Sequence, residues 1–159
     1  MGSGKSTVGR ILAKKLHTFF IDSDTLIEAR EGIPISDIFA HYGEAYFREQ
    51  EKACLEWICG SISNSIVSTG GGLPIHAIGV KEAGRIVFLK SGLETILARI
   101  EQDGTGQRPL AENSEKIASI FAERLAIYEE LSDITVDAEQ PAEAVAEAIL
   151  DSFFADGTA

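Results

Sequence analysis

The sequence has 159 residues, 45% of them apolar, and a formal charge of −11. That length suits one domain, able to bury about two-thirds of the surface its unfolded chain exposes. The acidic balance argues against a nucleic-acid partner, which demands clustered Lys and Arg. No apolar run approaches the ~20 residues of a membrane-spanning helix, and the glycine-rich start has no apolar signal segment. The expectation is a soluble cytoplasmic monomer without nucleic-acid or membrane partners. Cys54 and Cys59 have neither a zinc nor a redox spacing and are expected to be two buried thiols.

In chain order, Val8, Ile11, Leu12 and Leu16 form one stripe of an amphipathic helix after Gly4-Lys5-Ser6. Thr18–Ile21 reads as a short buried strand ending at Asp22. Ser36 is expected to cap a helix carrying Ile38 and Phe39. Gly43 interrupts the pattern, and a longer helix follows with Phe47, Cys54, Leu55, Ile58 and Ile62 on one side. Ser65–Thr69 is the next strand, stopped by Gly70-Gly71-Gly72, and Arg85–Leu89 another. Leu93, Ile96, Leu97 and Ile100 mark a helix. The polar stretch 101–115, with Gly104, Gly106, Arg108 and Pro109, predicts a long loop of the lid or binding type. Helix returns with Ile117, Phe121, Leu125, Tyr128 and Leu131. Ile134–Val136 is a last strand, and Pro141 opens a C-terminal helix. Short apolar runs alternating with helices predict an α/β domain with a mostly parallel sheet, and no internal repeat or domain boundary is visible.

Gly2-Ser3-Gly4-Lys5-Ser6-Thr7 is the C-terminal part of the phosphate-binding motif G-x-x-x-x-G-K-[S/T]. Glycines there let backbone N–H groups curl around a β-phosphate, and the following helix adds its positive end. Lys5 would reach the β- and γ-phosphates and Ser6 would offer its hydroxyl to Mg²⁺. The motif's first glycine, and the strand that feeds it, would lie before Met1. Such a strand is central and covered on both faces; losing about five buried side chains at about 1.5–3 kcal/mol each would remove something near 10 kcal/mol. Met1 is therefore expected to be an internal methionine with about ten natural residues upstream.

Asp22 and Asp24 follow a strand's C-terminal end, where open α/β sheets place their ligands. They read either as groups for Mg²⁺ and a substrate hydroxyl, or as a turn and helix N-cap. Arg48 lies one helical turn before Glu51, which falls on the apolar stripe of its helix. That is either a surface pair or a partly buried carboxylate fixing a guanidinium aimed at a ligand, the second being preferred. Arg124 occupies a helical face with Ile117, Phe121 and Tyr128, where an apolar residue is expected; it snorkels, pairs, or meets an anion. Arg108 would either close over the phosphates or sit on the surface.

Together these residues resemble the shikimate kinase family along the full chain. The carrying segments are 2–7, Asp22-Ser23-Asp24, Gly43-Glu44 with Phe47-Arg48 and Glu51, Thr69 with Gly70-Gly71-Gly72, Arg108-Pro109-Leu110, and Arg124 ahead of Tyr128. The resemblance implies a three-layer α/β P-loop fold with a mobile lid at about 101–115. It implies ATP-dependent phosphorylation of shikimate to shikimate 3-phosphate, a step of chorismate and aromatic amino-acid biosynthesis, with ATP and Mg²⁺ as cofactors. By it, Asp22 holds Mg²⁺ through water with Ser6, and Asp24 binds the shikimate hydroxyls and accepts the reacting proton. Arg48 and Arg124 grip the carboxylate, the backbone of Gly70, Gly71 and Gly72 lines the ring, and Arg108 is the lid arginine. Nucleotide contacts fall to Gly2, Ser3, Gly4, Lys5, Ser6, Thr7, Arg108 and, near the adenine, Gln140.

The sequence departs from that pattern at the motif's opening glycine and in a lid reading Arg-Pro-Leu-Ala, where a second leucine is usual. Arg99 stands before the lid at a longer spacing than the family's usual second arginine. The alternatives at this point are another small-metabolite kinase, such as a gluconate kinase, and a truncated non-catalytic nucleotide-binding module.

Overall fold

The computed structural model describes residues 2–102 and 110–155. They form two compact units, one of residues 1–11 with 85–159 and one of residues 12–84. All strand pairing among the described residues is parallel, as the alternation of short apolar runs and helices predicts.

Helix α1, Lys5–Lys15, starts after Gly4, whose carbonyl accepts from the Val8 amide at 2.9 Å. It buries Val8 and Leu12 of the predicted stripe, and Ala13 besides, while Ile11 is half-buried. Leu16 stays exposed, because the helix has already ended: His17 turns left-handed at φ 53° and the Thr18 amide returns to the Ala13 carbonyl.

In residues 12–84, strand β1, Phe19–Asp22, pairs with β2, Ser65–Ser68, in the register Phe19↔Ser65 to Asp22↔Ser68. Helix α2, Ser23–Glu31, begins directly at the strand's end. Asp22 is its N-cap, the carboxylate accepting from the Asp24 amide at 3.1 Å, and Gly32 closes it in the left-handed conformation at φ 71°. Helix α3, Ile35–Ser61, is broken at Gly43, where φ 80° and ψ 175° are a combination that glycine alone adopts readily. The expected cap at Ser36 is corrected: Pro34 is the N-cap, with the extended backbone of that position at φ −61° and ψ 152°, and Ser36 lies inside the first turn. Ile27 of α2 packs with Ile38, Phe47, Cys54 and Ile58 of α3 in the core of this unit. Each such aliphatic or aromatic side chain contributes about 1.5–3 kcal/mol on burial. Cys54 is buried as expected; Cys59 is exposed, a correction. Burial, and then the nearby Asp24 charge, push the Cys54 thiol pKa up. A short helix α4, Leu73–His76, and a 3₁₀ turn, Val80–Ala83, complete the unit.

In the other unit, strand β3, Val87–Lys90, pairs with β4, Ile134–Asp137. The expected start at Arg85 is shortened because the Ile86 amide is taken by the Asp133 side chain at 2.7 Å rather than by a neighbouring strand. Helix α5 runs Leu93–Gln102, α6 Leu110–Leu131 and α7 Ala142–Ala155. Val136, Ala138, Val145, Ala146 and Ile149 are buried, and α7 packs on β4. Helical backbone at 101–102 and 110–115 corrects both ends of the predicted loop; its remainder, with Arg108 and the lid assignment, lies outside the described residues. No described helix is long and apolar enough to cross a membrane.

Candidate functional site

The first cluster is built on the loop before α1. Gly2 and Gly4 both sit in the left-handed region, at φ 71° and 82°. At Gly2 a side chain is also excluded by space, since a Cβ would stand 3.0 Å from the Ile96 carbonyl oxygen and 3.3 Å from Ile100. The loop and the first turn of α1 line a cavity of about 460 Å³, together with Arg99, Ala138, Gln140, Ala142 and Val145. Gly2, Ser3, Gly4, Lys5, Ser6 and Thr7 therefore line one cavity with Gln140, which is 133 positions beyond Thr7 in the chain (140 − 7). A helix N-terminus, the Lys5 ammonium and the Arg99 guanidinium all bring positive charge to it, the electrostatics of an anion site. The Lys5 Nζ lies 3.5 Å from the Ser3 hydroxyl. The volume falls within the range of small-molecule sites, about 300–1,000 Å³.

Arg99 is the residue that sequence reasoning left unassigned. Its guanidinium donates to the Ala138 carbonyl at 2.8 Å and to the Gly2 carbonyl at 3.4 Å. It thus ties the phosphate-loop motif to the segment after β4 from the last turn of α5.

The second cluster lies wholly within residues 12–84. Ser23, fully buried, accepts a hydrogen bond on its hydroxyl from the Gly70 amide at 3.0 Å, fastening the triple glycine to the start of α2. A Cβ at Gly70 would stand 2.5 Å from the Asp24 carboxylate, and one at Gly72 would collide with the Arg48 guanidinium. The glycines are there because two charged side chains lie directly against their backbone. Asp24, Arg48, Gly70 and Gly72 are thereby brought together as predicted, with Gly71 between.

Arg48 is held on two sides. Its Nη1 donates to Glu51 at 2.6 Å, and its Nη2 and Nε donate to a single oxygen of Glu44 at 2.7 and 3.2 Å. Glu51 is only 1% exposed, so the pair is no surface decoration: the buried carboxylate fixes the guanidinium, as the apolar stripe of α3 implied. Burial works against the Arg48 charge, but the hydrogen bonds and attraction of Glu51 and Glu44 outweigh it and raise its pKa above the ordinary value. The ring of Phe47 lies 5.4 Å from the same guanidinium.

Asp22 has the N-cap role that its sequence position allowed, its carboxylate accepting from the Asp24 amide. Arg124, on α6 in the other unit, is half-buried, and Tyr128 one turn later packs on Phe88 at 5.3 Å between ring centroids.

A model of the family described as shikimate kinase matches residues 1–153. The shikimate kinase of a Sulfurihydrogenibium species is 44% identical over 144 residues, covering 88% of this chain and 84% of that protein. The chain belongs to the shikimate kinase family. Among solved structures, the shikimate kinase of Aquifex aeolicus superposes with a TM-score of 0.85 at 37% identity, covering 99% of this chain and 94% of that one. A shikimate kinase from Acinetobacter baumannii, solved in complex with shikimate, gives 0.84 at 31% identity over 98% and 89%. Shikimate kinases are phosphotransferases, and the parallel α/β architecture with its phosphate loop is the P-loop fold that these relatives share.

Proposed function

We propose that this shikimate kinase binds ATP in the cavity of the Gly2–Thr7 loop and passes its γ-phosphoryl to a shikimate hydroxyl held by the Asp24–Arg48–glycine cluster. The observation that carries this is the Arg48 guanidinium, fixed at 2.6 Å by a buried Glu51 and pressed against a glycine that leaves it room. A cation so held, beside a backbone without side chains, suits the carboxylate of a small ring acid, because guanidinium–carboxylate pairs are strong and directional. The likeness to a structure solved with shikimate supports the choice of acid.

The roles follow from the chemistry of each group. Loop amides and Lys5 bind the β- and γ-phosphates, and Lys5 stabilises the charge of the transferring group. Gln140, which lines the same cavity, borders the nucleotide. Asp24 orients the acceptor hydroxyl and takes its proton, while Gly70, Gly71 and Gly72 line the ring. Arg124 is the second carboxylate-binding cation and Arg108 the arginine that meets the phosphates. Mg²⁺ suits the chemistry of the two groups that would hold it, the Ser6 hydroxyl in the first turn of α1 and the Asp22 carboxylate at a strand's end. Bound there, the ion would neutralise charge on the phosphate oxygens. Positioning and charge stabilisation then carry the rate.

A substrate panel tests the reading. ADP release should depend on shikimate; turnover of gluconate but not of shikimate would overturn the acceptor. Nucleotide binding without any turnover would leave a non-catalytic module.

A further inference from the structure

Arg48 offers five N–H donors, and their use in this structure is uneven. Glu51, buried beneath it, takes Nη1. Glu44, one turn earlier on α3, lays one oxygen across the whole Nε/Nη2 edge, at 3.2 and 2.7 Å. That edge is one of the two on which a guanidinium receives a carboxylate in bidentate fashion. The two acids differ sharply in setting: Glu51 is 1% exposed, Glu44 64%. Glu51 alone suffices to orient the guanidinium, being held by the core. Glu44 stands on the solvent side of it, where an incoming anion meets the cluster. With both acids in place Arg48 and its two partners together carry one net negative charge, which repels a carboxylate before contact.

We infer that Glu44 is an internal competitor for Arg48, a carboxylate that occupies the substrate's binding edge and must swing aside when an anionic acceptor arrives. It lowers the affinity for the acceptor, since every anion must displace it first. The inference rests on the reading of Arg48 as the acceptor's carboxylate-binding cation. An exposed ion pair is worth at most about 1 kcal/mol, which corresponds to about a fivefold change in binding.

Equilibrium titration of shikimate against the full chain, wild type and Glu44→Gln, tests it, with Glu44→Ala as a second variant at this exposed position. The expected result is a Kd two- to fivefold lower in both variants, with nucleotide affinity unchanged. An unchanged or higher Kd overturns the inference, the higher value meaning that Glu44 helps to hold Arg48 rather than to mask it. Arg48→Met, titrated in parallel, separates the two layers. If it leaves shikimate binding intact, the acceptor-site reading itself fails. If it abolishes binding while Glu44→Gln does not tighten it, only the competitor role is lost.

Discussion

Replacing Arg48 by Met isolates the energetics of the acceptor cluster. The substitution keeps an apolar stem of similar length and removes the cation, so Glu51 remains 1% exposed with its 2.6 Å partner gone. Removing one member of a buried pair costs about 3–5 kcal/mol because the other charge is stranded. Arg48 is itself 22% exposed, so water reaching the vacated space places the expected loss at the lower end, about 3 kcal/mol. The Glu44 arm of the network, 64% exposed, belongs to the surface regime of under about 1 kcal/mol. Urea unfolding of four proteins measures this directly: wild type, Arg48→Met, Glu51→Leu, and the double variant. The double variant should be more stable than Arg48→Met, because the apolar core of α3 accepts a leucine more readily than a lone carboxylate. For a chain of this size the Arg48→Met loss also lowers Tm by roughly 6–12 °C. A loss below about 1 kcal/mol, additive in the double variant, would refute the reasoning and return the pair to the surface.

Other perturbations address the remaining roles. Gly72→Ala should leave the fold intact, since the guanidinium it strikes is the end of a flexible side chain, yet raise the KM for shikimate by about tenfold or more as Arg48 is pushed from Glu51; an unchanged KM would contradict the packing argument. Lys5→Met should reduce kcat on the order of 10²–10³ with unchanged circular dichroism, and retained turnover would count against the phosphate-loop assignment. Arg124→Ala should weaken shikimate binding with little effect on ATP, measured by separate titrations. Arg99→Met should raise the KM for ATP and not that for shikimate, because it releases the Gly2 and Ala138 carbonyls beside the cavity; an effect on shikimate alone would be the opposite outcome.

What the sequence disclosed, and what it withheld, follows from the physics of each residue. Glu51 was legible because it breaks an apolar stripe, and a carboxylate there needs a cation within reach. Gly43 was legible because only glycine tolerates the backbone geometry at that break. The triple glycine was legible as a strand stop, but the reason for Gly70 and Gly72 lies in Asp24 and Arg48 pressing on them, a contact between distant segments that no local pattern encodes. Arg99 was hidden for a related reason: it acts on backbone carbonyls, which every residue has, so its partners carry no side-chain signature. Cys59 lies five residues beyond Cys54, about 140° further around the helix, so the phasing that buries the first thiol exposes the second. At the end of the polar stretch, Leu110, Ala111 and Glu112 were read as loop, although they are strong helix formers that the structure places in α6.

The account turns on recognition of a carboxylate by Arg48. Comparing shikimate with its methyl ester, by titration against wild type and Arg48→Met, tests this most directly. The ester keeps the ring and hydroxyls but loses the charge, forfeiting about 1.5–3 kcal/mol of charge-assisted hydrogen bonding. Wild type should therefore bind the ester about 10- to 150-fold more weakly, and Arg48→Met should discriminate far less between the two. Equal affinity of the wild type for acid and ester would contradict the account.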